Sequence, residues 1–261
     1  SPREIDVNQL PEQAQTWINR HLVYTHGYGI CMSPVSQVTT EGLPEFYIKD
    51  IPPVSSVGLD VVRPEIYFGE RTNDYMITNT KQSEFDYPRG DTNEYTHYRG
   101  KGGIQLDSLL KRLVYAFKFS DIKLFISSLI TSESRLLYNH QITTVVRTLA
   151  PFLFFDQDPY LVLSDEGRLV WLLDAYTISN RYPYSEPFKG QVNYIRNAVK
   201  VTLDAYDGSV NFYVVDDKDP LIQTYSKIYA GMFQSFDQMP MDLKRHIRYP
   251  KDLFTVQSSM Y

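Results

Sequence analysis

Residues 199–215 read VKVTLDAYDGSVNFYVV, and this stretch decides the fold. Apolar and polar side chains alternate on both sides of Asp207-Gly208, a dipeptide that favours a type I′ turn. The alternation predicts two antiparallel strands, 199–206 and 210–215. A second hairpin is predicted before it, where 160–163 turns through Asp165-Glu166-Gly167 into 169–176. The C-terminal part should therefore form a two-hairpin antiparallel meander.

Helical spacing of apolar residues precedes and follows this meander. Three helices are predicted over 109–117, after Asp107-Ser108 as N-cap, over 121–130, and over 142–149 before Pro151. The stripe of the first consists of Leu109, Leu110, Leu113, Val114 and Phe117. We expect the three helices to pack into a layer. Closing helices are predicted from Asp219-Pro220, in the preferred order of N-cap and N1, and after Pro240.

The N-terminal part has a different pattern. A short amphipathic helix over 13–22 is followed, to about residue 80, by short runs rich in Tyr, Val and Ile that predict strands. Runs 65–68 and 75–78 flank a polar segment and predict a hairpin, whereas 87–103 is predicted as a loop because of its Pro and Gly residues.

This order of elements predicts an α+β fold, with antiparallel sheets and segregated helices. We expect a β-rich N-terminal lobe, a three-helix middle and the C-terminal meander, with no Rossmann or barrel architecture. The chain is predicted as one module over 1–261, with sub-lobes 1–105 and 106–261.

Composition narrows the classes of function. The chain has 261 residues, with 26 Lys and Arg against 31 Asp and Glu, and its net charge of −5 disfavours nucleic acid as a partner. Acidic residues exceed basic ones in the first sub-lobe only. Cys31 is the only cysteine, which excludes an internal disulfide and a cysteine-based zinc cluster. The chain starts without Met and without a signal-like apolar segment, so we expect that it has been processed or is a piece of something longer. No apolar run is long enough to span a bilayer.

Several motifs resemble one family, along the whole chain and in the same order. They include HLVYTHGYG at 21–29, GLPEFYIKDIPP at 42–53, EFDYP at 84–88, NYIRNAVKV at 193–201 and RYPKDLF at 248–254. The sequence resembles uncharacterised protein family 0182. The resemblance implies a bacterial multi-pass membrane protein, of which this chain is an internal part of the large soluble region outside the cytoplasm. It implies the protein's own transmembrane region as a partner and carries over no catalytic residue.

Two segments are candidates for ligand binding. His26, in the segment 24–29, is a candidate base or ligand, although glycines there lack phosphate-binding spacing. His97, Arg99 and Lys101 lie in a Gly-rich segment whose backbone N–H groups could approach an anion. The structural alternatives are a hydrogen-bonded histidine beside a turn and a flexible surface loop.

Carboxylates offer two further candidates. Asp174 and Asp204 would suit a glycosidase-like pair if they lay roughly 5–10 Å apart, but the solvent face of a strand is the expectation for both. The clusters 216–219 and 156–158 contain Ca²⁺-type ligands without the EF-hand spacing. We predict no metal and no cofactor.

Two functional hypotheses follow. The first is a binding or interaction module that contacts its own membrane part, a second copy, or an envelope lipid or glycan. The alternative is an envelope glycan- or lipid-acting enzyme that uses Asp and His side chains. Tyr is abundant, at 21 residues, and the tyrosines predicted in loops are the first candidates to face a partner. They are Tyr95, Tyr98, Tyr182 and Tyr184.

Overall fold

The elements fall into two units. A computed structural model describes residues 7–71 and 74–260. Unit 1 comprises Ser1–Gln141 and Ala205–Gly208, and unit 2 comprises Ile142–Asp204 and Ser209–Tyr261. The mixture of small antiparallel sheets and helices confirms the predicted α+β class. The segment 106–141, which the sequence assigns to the second sub-lobe, belongs to unit 1.

Unit 1 is built from short strands and two helices. These are β1 (Gly27–Tyr28), β2 (Ile48–Lys49), β3 (Val54–Ser55), β4 (Glu65–Ile66), β5 (Met76–Thr78), β6 (Glu84–Arg89), β7 (Thr92–Thr96), β8 (Ile104–Gln105), α1 (Leu109–Lys118), α2 (Lys123–Ile126) and β9 (Arg135–Leu137). Strand β4 pairs with β1, and β5 pairs with β9. The predicted hairpin over 65–78 is therefore wrong, and its residues 72 and 73 lie outside the described residues. Strands of two or three residues make few ladder bonds, so distant partners decide their pairing.

The predicted loop over 87–103 is wrong in its first part. Strands β6 and β7 form a hairpin across Gly90, which adopts a left-handed φ of 59°. Pro88 is tolerated because both strands of a two-stranded hairpin are edge strands. The register shifts between Phe85 and Tyr87, which leaves Asp86 outside the ladder.

The helix α1 begins where the sequence predicts, with the Ser108 hydroxyl accepting from the Lys111 N–H. The expectation that its apolar stripe packs into a layer of helices is wrong, however, because the stripe is exposed and the buried side of the helix carries Ala116. The predicted helix over 121–130 shortens to the single turn α2. The predicted helix over 13–22 is replaced by a 3-10 turn at Glu12–Ala14 and a π turn at Asn19–Val23.

Unit 2 contains the long strands. Its elements are α3 (Ile142–Leu149), β10 (Phe154–Phe155), β11 (Tyr160–Leu163), β12 (Leu169–Ser179), β13 (Tyr194–Asp204), β14 (Val210–Val214), α4 (Pro220–Ile228), β15 (Phe233–Ser235), α5 (Met241–Lys244) and α6 (Lys251–Met260). Both predicted hairpins are confirmed, β11 with β12 and β13 with β14. Asp219 caps α4 through the N–H groups of Leu221 and Ile222, as the Asp-Pro order predicts.

The sheet of unit 2 is covered on both faces. Strand order is β10-β12-β13-β14-β15, with β11 also paired to β12 and β15 parallel to β14. Every residue from Leu169 to Thr177 is buried, and so are Lys200 and Thr202, which the alternation places at polar or exposed positions. Asp174 is buried too, so the expectation that it lies on the solvent face of its strand is wrong. No helix among the described residues is long and apolar enough to cross a membrane.

Candidate functional site

A fully buried carboxylate organises the polar interior of unit 1. Glu84, at the start of β6, accepts from the Thr25 hydroxyl at 2.7 Å and the Tyr67 hydroxyl at 2.8 Å. Its second oxygen accepts from the N–H groups of Asn79 at 3.0 Å and Tyr98 at 2.9 Å. Burial and the neighbouring carboxylate raise the pKa of the Tyr67 hydroxyl well above its usual value. We call these five residues the Glu84 cluster; its donors satisfy both carboxylate oxygens.

The candidate His26 is buried beside this cluster. Its Nδ1 lies 3.0 Å from the Thr25 hydroxyl oxygen, and its Nε2 lies 3.3 Å from Asp86 Oδ1. Since the Thr25 proton is donated to Glu84, each ring nitrogen of His26 lies beside an oxygen that can accept a hydrogen bond. The irregularity of β6 at Asp86 aims this carboxylate at the ring. His26 is thus an oriented, buried residue of the interior.

Glu65 is the one described side chain with a buried oxygen that has no hydrogen-bond partner. Its Oε2 is unpaired, while Oε1 lies 3.8 Å from the Arg63 guanidinium. Burial raises the pKa of the Glu65 carboxyl, and the negative charge of Asp86 adds to this effect. A carboxyl that lacks donors is easier to bury when it is protonated.

Replacing Glu65 by glutamine should therefore stabilise the protein at alkaline pH. The folded-state pKa is raised, so the carboxyl contributes stability that is complete below its unfolded pKa and is lost as the pH rises through the folded pKa. We expect Glu65→Gln to raise the free energy of unfolding by about 1 kcal/mol at pH 8 and by less at pH 4. Urea titrations at both pH values measure this, with Glu94→Gln, at a partly exposed position of β7, as control. A variant less stable than the parent at pH 8 would contradict the assignment.

The other unit 1 candidates are exposed. The side chains of His97, Arg99 and Lys101 are all solvent-facing, in contrast to His26. The Arg135 guanidinium donates to the carbonyl oxygens of Lys101 at 2.6 Å, Gly102 at 2.7 Å and Gly103 at 3.1 Å. This part of the segment therefore presents carbonyl oxygens to a cation, whereas an anion-binding loop presents backbone N–H groups. Of the four tyrosines predicted in loops, Tyr95 lies instead on strand β7. Tyr98 is buried, whereas Tyr95, Tyr182 and Tyr184 are exposed.

The two candidate carboxylates of unit 2, Asp174 and Asp204, each form an ion pair with a basic side chain. Asp174 on β12 faces Lys200 on β13 in register and forms a buried ion pair with it. Burial raises the pKa of the Asp174 carboxyl, against the opposing effect of the Lys200 ammonium. The Asn197 side chain donates to the same carboxylate at 3.0 Å. Asp204 pairs with the Arg168 guanidinium at 2.7 Å.

The strand register separates the two aspartates. Asp174 lies opposite Lys200, and Asp204 lies opposite Val170, four positions further along the ladder. Four positions correspond to about 13 Å, which exceeds the spacing of a glycosidase pair. The structure therefore does not bring Asp174 and Asp204 together.

The aspartates of the two acidic clusters serve as hydrogen-bond acceptors within the fold. Asp219 caps α4 and accepts from the hydroxyls of Thr177 and Tyr194. Asp156 accepts from the Tyr176 hydroxyl and from the N–H groups of Asp158 and Asp252. Within the described ranges, no group of His, Cys, Asp and Glu is arranged to hold a metal ion.

A cavity in unit 2 was not foreseen from the sequence. It has a volume of about 420 Å³ and lies among β12, β13, their connection and α6. Its apolar lining is Phe154, Ile178, Phe188, Val192, Ile195, Val256 and Met260. Exposed Glu186 and Lys189 and the half-buried Asp252 supply charge. The long irregular connection over 180–193 is the signal in the sequence, since such loops are often functional.

These observations define a two-unit α+β protein whose candidate aspartates are paired within the fold and whose second unit contains a largely apolar cavity. The model of the Uncharacterised protein family (UPF0182) matches residues 1–261, and the chain belongs to this family. This confirms the resemblance seen in the sequence.

Relatives bear the same family name. A UPF0182 protein of Desulforamulus reducens is 55% identical over 260 residues, which cover 99% of this chain and 28% of that protein. One of Sulfurovum sp. is 52% identical over 264 residues, 99% of this chain and 29% of its own length. The chain thus spans under a third of these relatives. No solved structure matches it.

Proposed function

We propose that this chain is a binding module of a larger bacterial envelope protein and that it takes up an amphiphile with a single acyl chain. The observation that carries the proposal is the unit 2 cavity, whose volume of about 420 Å³ falls in the range of small-molecule sites. Seven of its lining residues are large and apolar, which favours a hydrocarbon chain over a glycan.

The entrance supports an amphiphile rather than a purely apolar ligand. Glu186 and Lys189 are exposed members of the lining, so a polar headgroup can stay in water while the chain is buried. The Lys189 ammonium lies 5.2 Å from the Phe188 ring centroid and is the cation available for an anionic headgroup. Tyr182, one of the exposed loop tyrosines, stacks on the lining residue Tyr194 at 5.3 Å.

The location is part of the proposal. We place the module outside the cytoplasm, attached to the membrane region of its own protein. Support comes from the resemblance in the sequence and from the 28% share of the Desulforamulus reducens relative that the chain covers. An envelope lipid is then within reach of the cavity.

The enzymatic alternative receives less support. It requires Asp174 and Asp204, or His97, to face one substrate. Asp174 is buried against Lys200, and Asp204 is paired with Arg168 about 13 Å further along the sheet. His97 is exposed and belongs to the other unit.

Binding of dodecanoate tests the proposal. Isothermal titration of the 261-residue chain should show saturable binding, and Val256→Trp, which fills the cavity from α6, should weaken it at least ten-fold. Phe254→Trp, at a neighbouring exposed position of α6 outside the lining, is the matched control and should bind as the parent does. Thermal shift should follow the same order, because a native-state ligand stabilises by mass action.

The headgroup preference is tested with dodecyltrimethylammonium. Stronger binding of the carboxylate, lost in Lys189→Glu, would support the role of Lys189. Absence of saturable binding by either probe, or equal affinity in Val256→Trp and the parent, would overturn the proposed function.

A further inference from the structure

The helices α1 and α2 of unit 1 expose an apolar surface. Five side chains of α1 are between 49% and 88% exposed, and two of the α2 region are 58% and 66% exposed. We call this set the α1–α2 face; it consists of Leu109, Leu110, Leu113, Val114, Phe117, Ile122 and Ile126. Exposed apolar sets of this kind mark interaction surfaces in folded proteins.

The opposite side of α1 holds the helix in place. Ala116 is buried in the core of unit 1 with Leu124 and Leu136, and Tyr115 and Phe119 pack against this core. The Arg112 side chain donates to the carbonyl oxygens of Leu124, Phe125 and Ser127 and so ties α1 to α2. The α1–α2 face is therefore presented outward on an anchored scaffold.

Cations border this face. Lys111 and Lys118 are seven residues apart and lie on one flank of α1, since seven residues make nearly two turns. Lys123 is exposed at the start of α2. The segment 107–131 contains four basic residues, including Arg112, and two acidic residues, Asp107 and Asp121. Asp107 forms an exposed ion pair with Lys111 at 2.8 Å, so the segment keeps an excess of two positive charges. Asp121 is occupied by the Trp17 indole and the Tyr75 hydroxyl.

We infer that the α1–α2 face docks on the surface of a bilayer that contains anionic phospholipids. A helix with large apolar side chains on one face and lysines at its border inserts at the level of the headgroups, where cations meet phosphate. A second copy is less suitable, because a two-fold contact places the same excess of positive charge on both sides of the interface. This surface belongs to unit 1, whereas the proposed cavity belongs to unit 2, so the inference stands apart from the proposed function.

Vesicle co-sedimentation tests the inference. The chain should bind large unilamellar vesicles of phosphatidylglycerol and phosphatidylcholine mixed in equal parts, and bind pure phosphatidylcholine at least ten-fold more weakly. Leu113→Ser combined with Phe117→Ser should lower the partition coefficient at least ten-fold. Ile228→Ser, at a comparably exposed position of α4, is the matched control and should not change it.

A separate variant measures how much one lysine contributes to vesicle binding. Lys123→Gln should lower partitioning about five-fold, since one lysine near an anionic surface contributes about 1 kcal/mol. In Phe117→Trp, tryptophan emission should shift to the blue when mixed vesicles are added, and circular dichroism should confirm that each variant is folded.

Three results would overturn the inference. They are no binding to mixed vesicles, equal binding by the Leu113 and Phe117 double variant, and a dimer that the same substitutions dissociate in the absence of lipid. Dodecanoate binding should survive in that double variant, so a failure here is distinguishable from a failure of the proposed cavity function.

Discussion

Replacing Glu84 by alanine is expected to lower the free energy of unfolding of unit 1 by about 4 kcal/mol. The carboxylate is fully buried and accepts from two hydroxyls and two backbone N–H groups. Alanine leaves all of these donors without their acceptor, and a buried polar group without a partner is costly. The four donors come from chain positions between 25 and 98, so losing their common acceptor weakens contacts between distant segments of the unit.

Urea unfolding followed by tryptophan fluorescence measures this effect. Trp17 lies in unit 1 and Trp171 in unit 2, and they are the two tryptophans of the chain, so single-tryptophan backgrounds report each unit. Glu94→Ala, on the adjacent strand β7 and in an exposed pair with Arg89, should change the free energy by less than about 0.5 kcal/mol. Equal effects of Glu84→Ala and Glu94→Ala would refute the role of the Glu84 cluster.

Replacing Lys200 by methionine is expected to destabilise unit 2 by about 3–5 kcal/mol. The ammonium is the charged partner of Asp174, and both residues are about nineteen-twentieths buried, with exposures of 6% and 5%. Methionine matches the length of the side chain but leaves the carboxylate, among the described residues, with the Asn197 amide as its side-chain donor. An uncompensated charge inside a covered sheet is the costly result.

A double variant distinguishes the loss of the ion pair from the loss of side-chain packing. Asp174→Leu together with Lys200→Met should recover most of the lost stability, because a buried ion pair is often replaceable by apolar residues. The same fluorescence titration, read from Trp171, measures both variants. Additive losses in the double variant would show that the two charges act independently.

The sheet of unit 2 was predictable because its signals are local. Alternation over 199–215, the Asp207-Gly208 turn and the Asp219-Pro220 cap each depend on residues within a few positions of one another. The structure has the corresponding hairpin and cap. Burial on both faces was not predictable, since the sequence of a strand does not show what covers its polar side.

The polar interior of unit 1 was only partly predictable. His26 was a candidate because of its residue type, but Glu84 and Glu65 carry no local signal of burial. Their environments arise from segments dozens of residues away, such as Thr25 and Tyr98 around Glu84. The pairing of β4 with β1 has the same origin, because a two-residue strand cannot specify a partner.

The sequence by itself determined the α+β class, the family, the two hairpins and the limits of α1 and α3. These features follow from periodicity, caps and turns, which act over a few residues. Only the tertiary structure decided that the apolar stripe of α1 faces outward, that Lys200 and Asp174 meet inside the sheet, and that unit 2 contains a cavity. An amphipathic pattern specifies that one side of a helix is apolar, but its neighbours decide whether that side is covered.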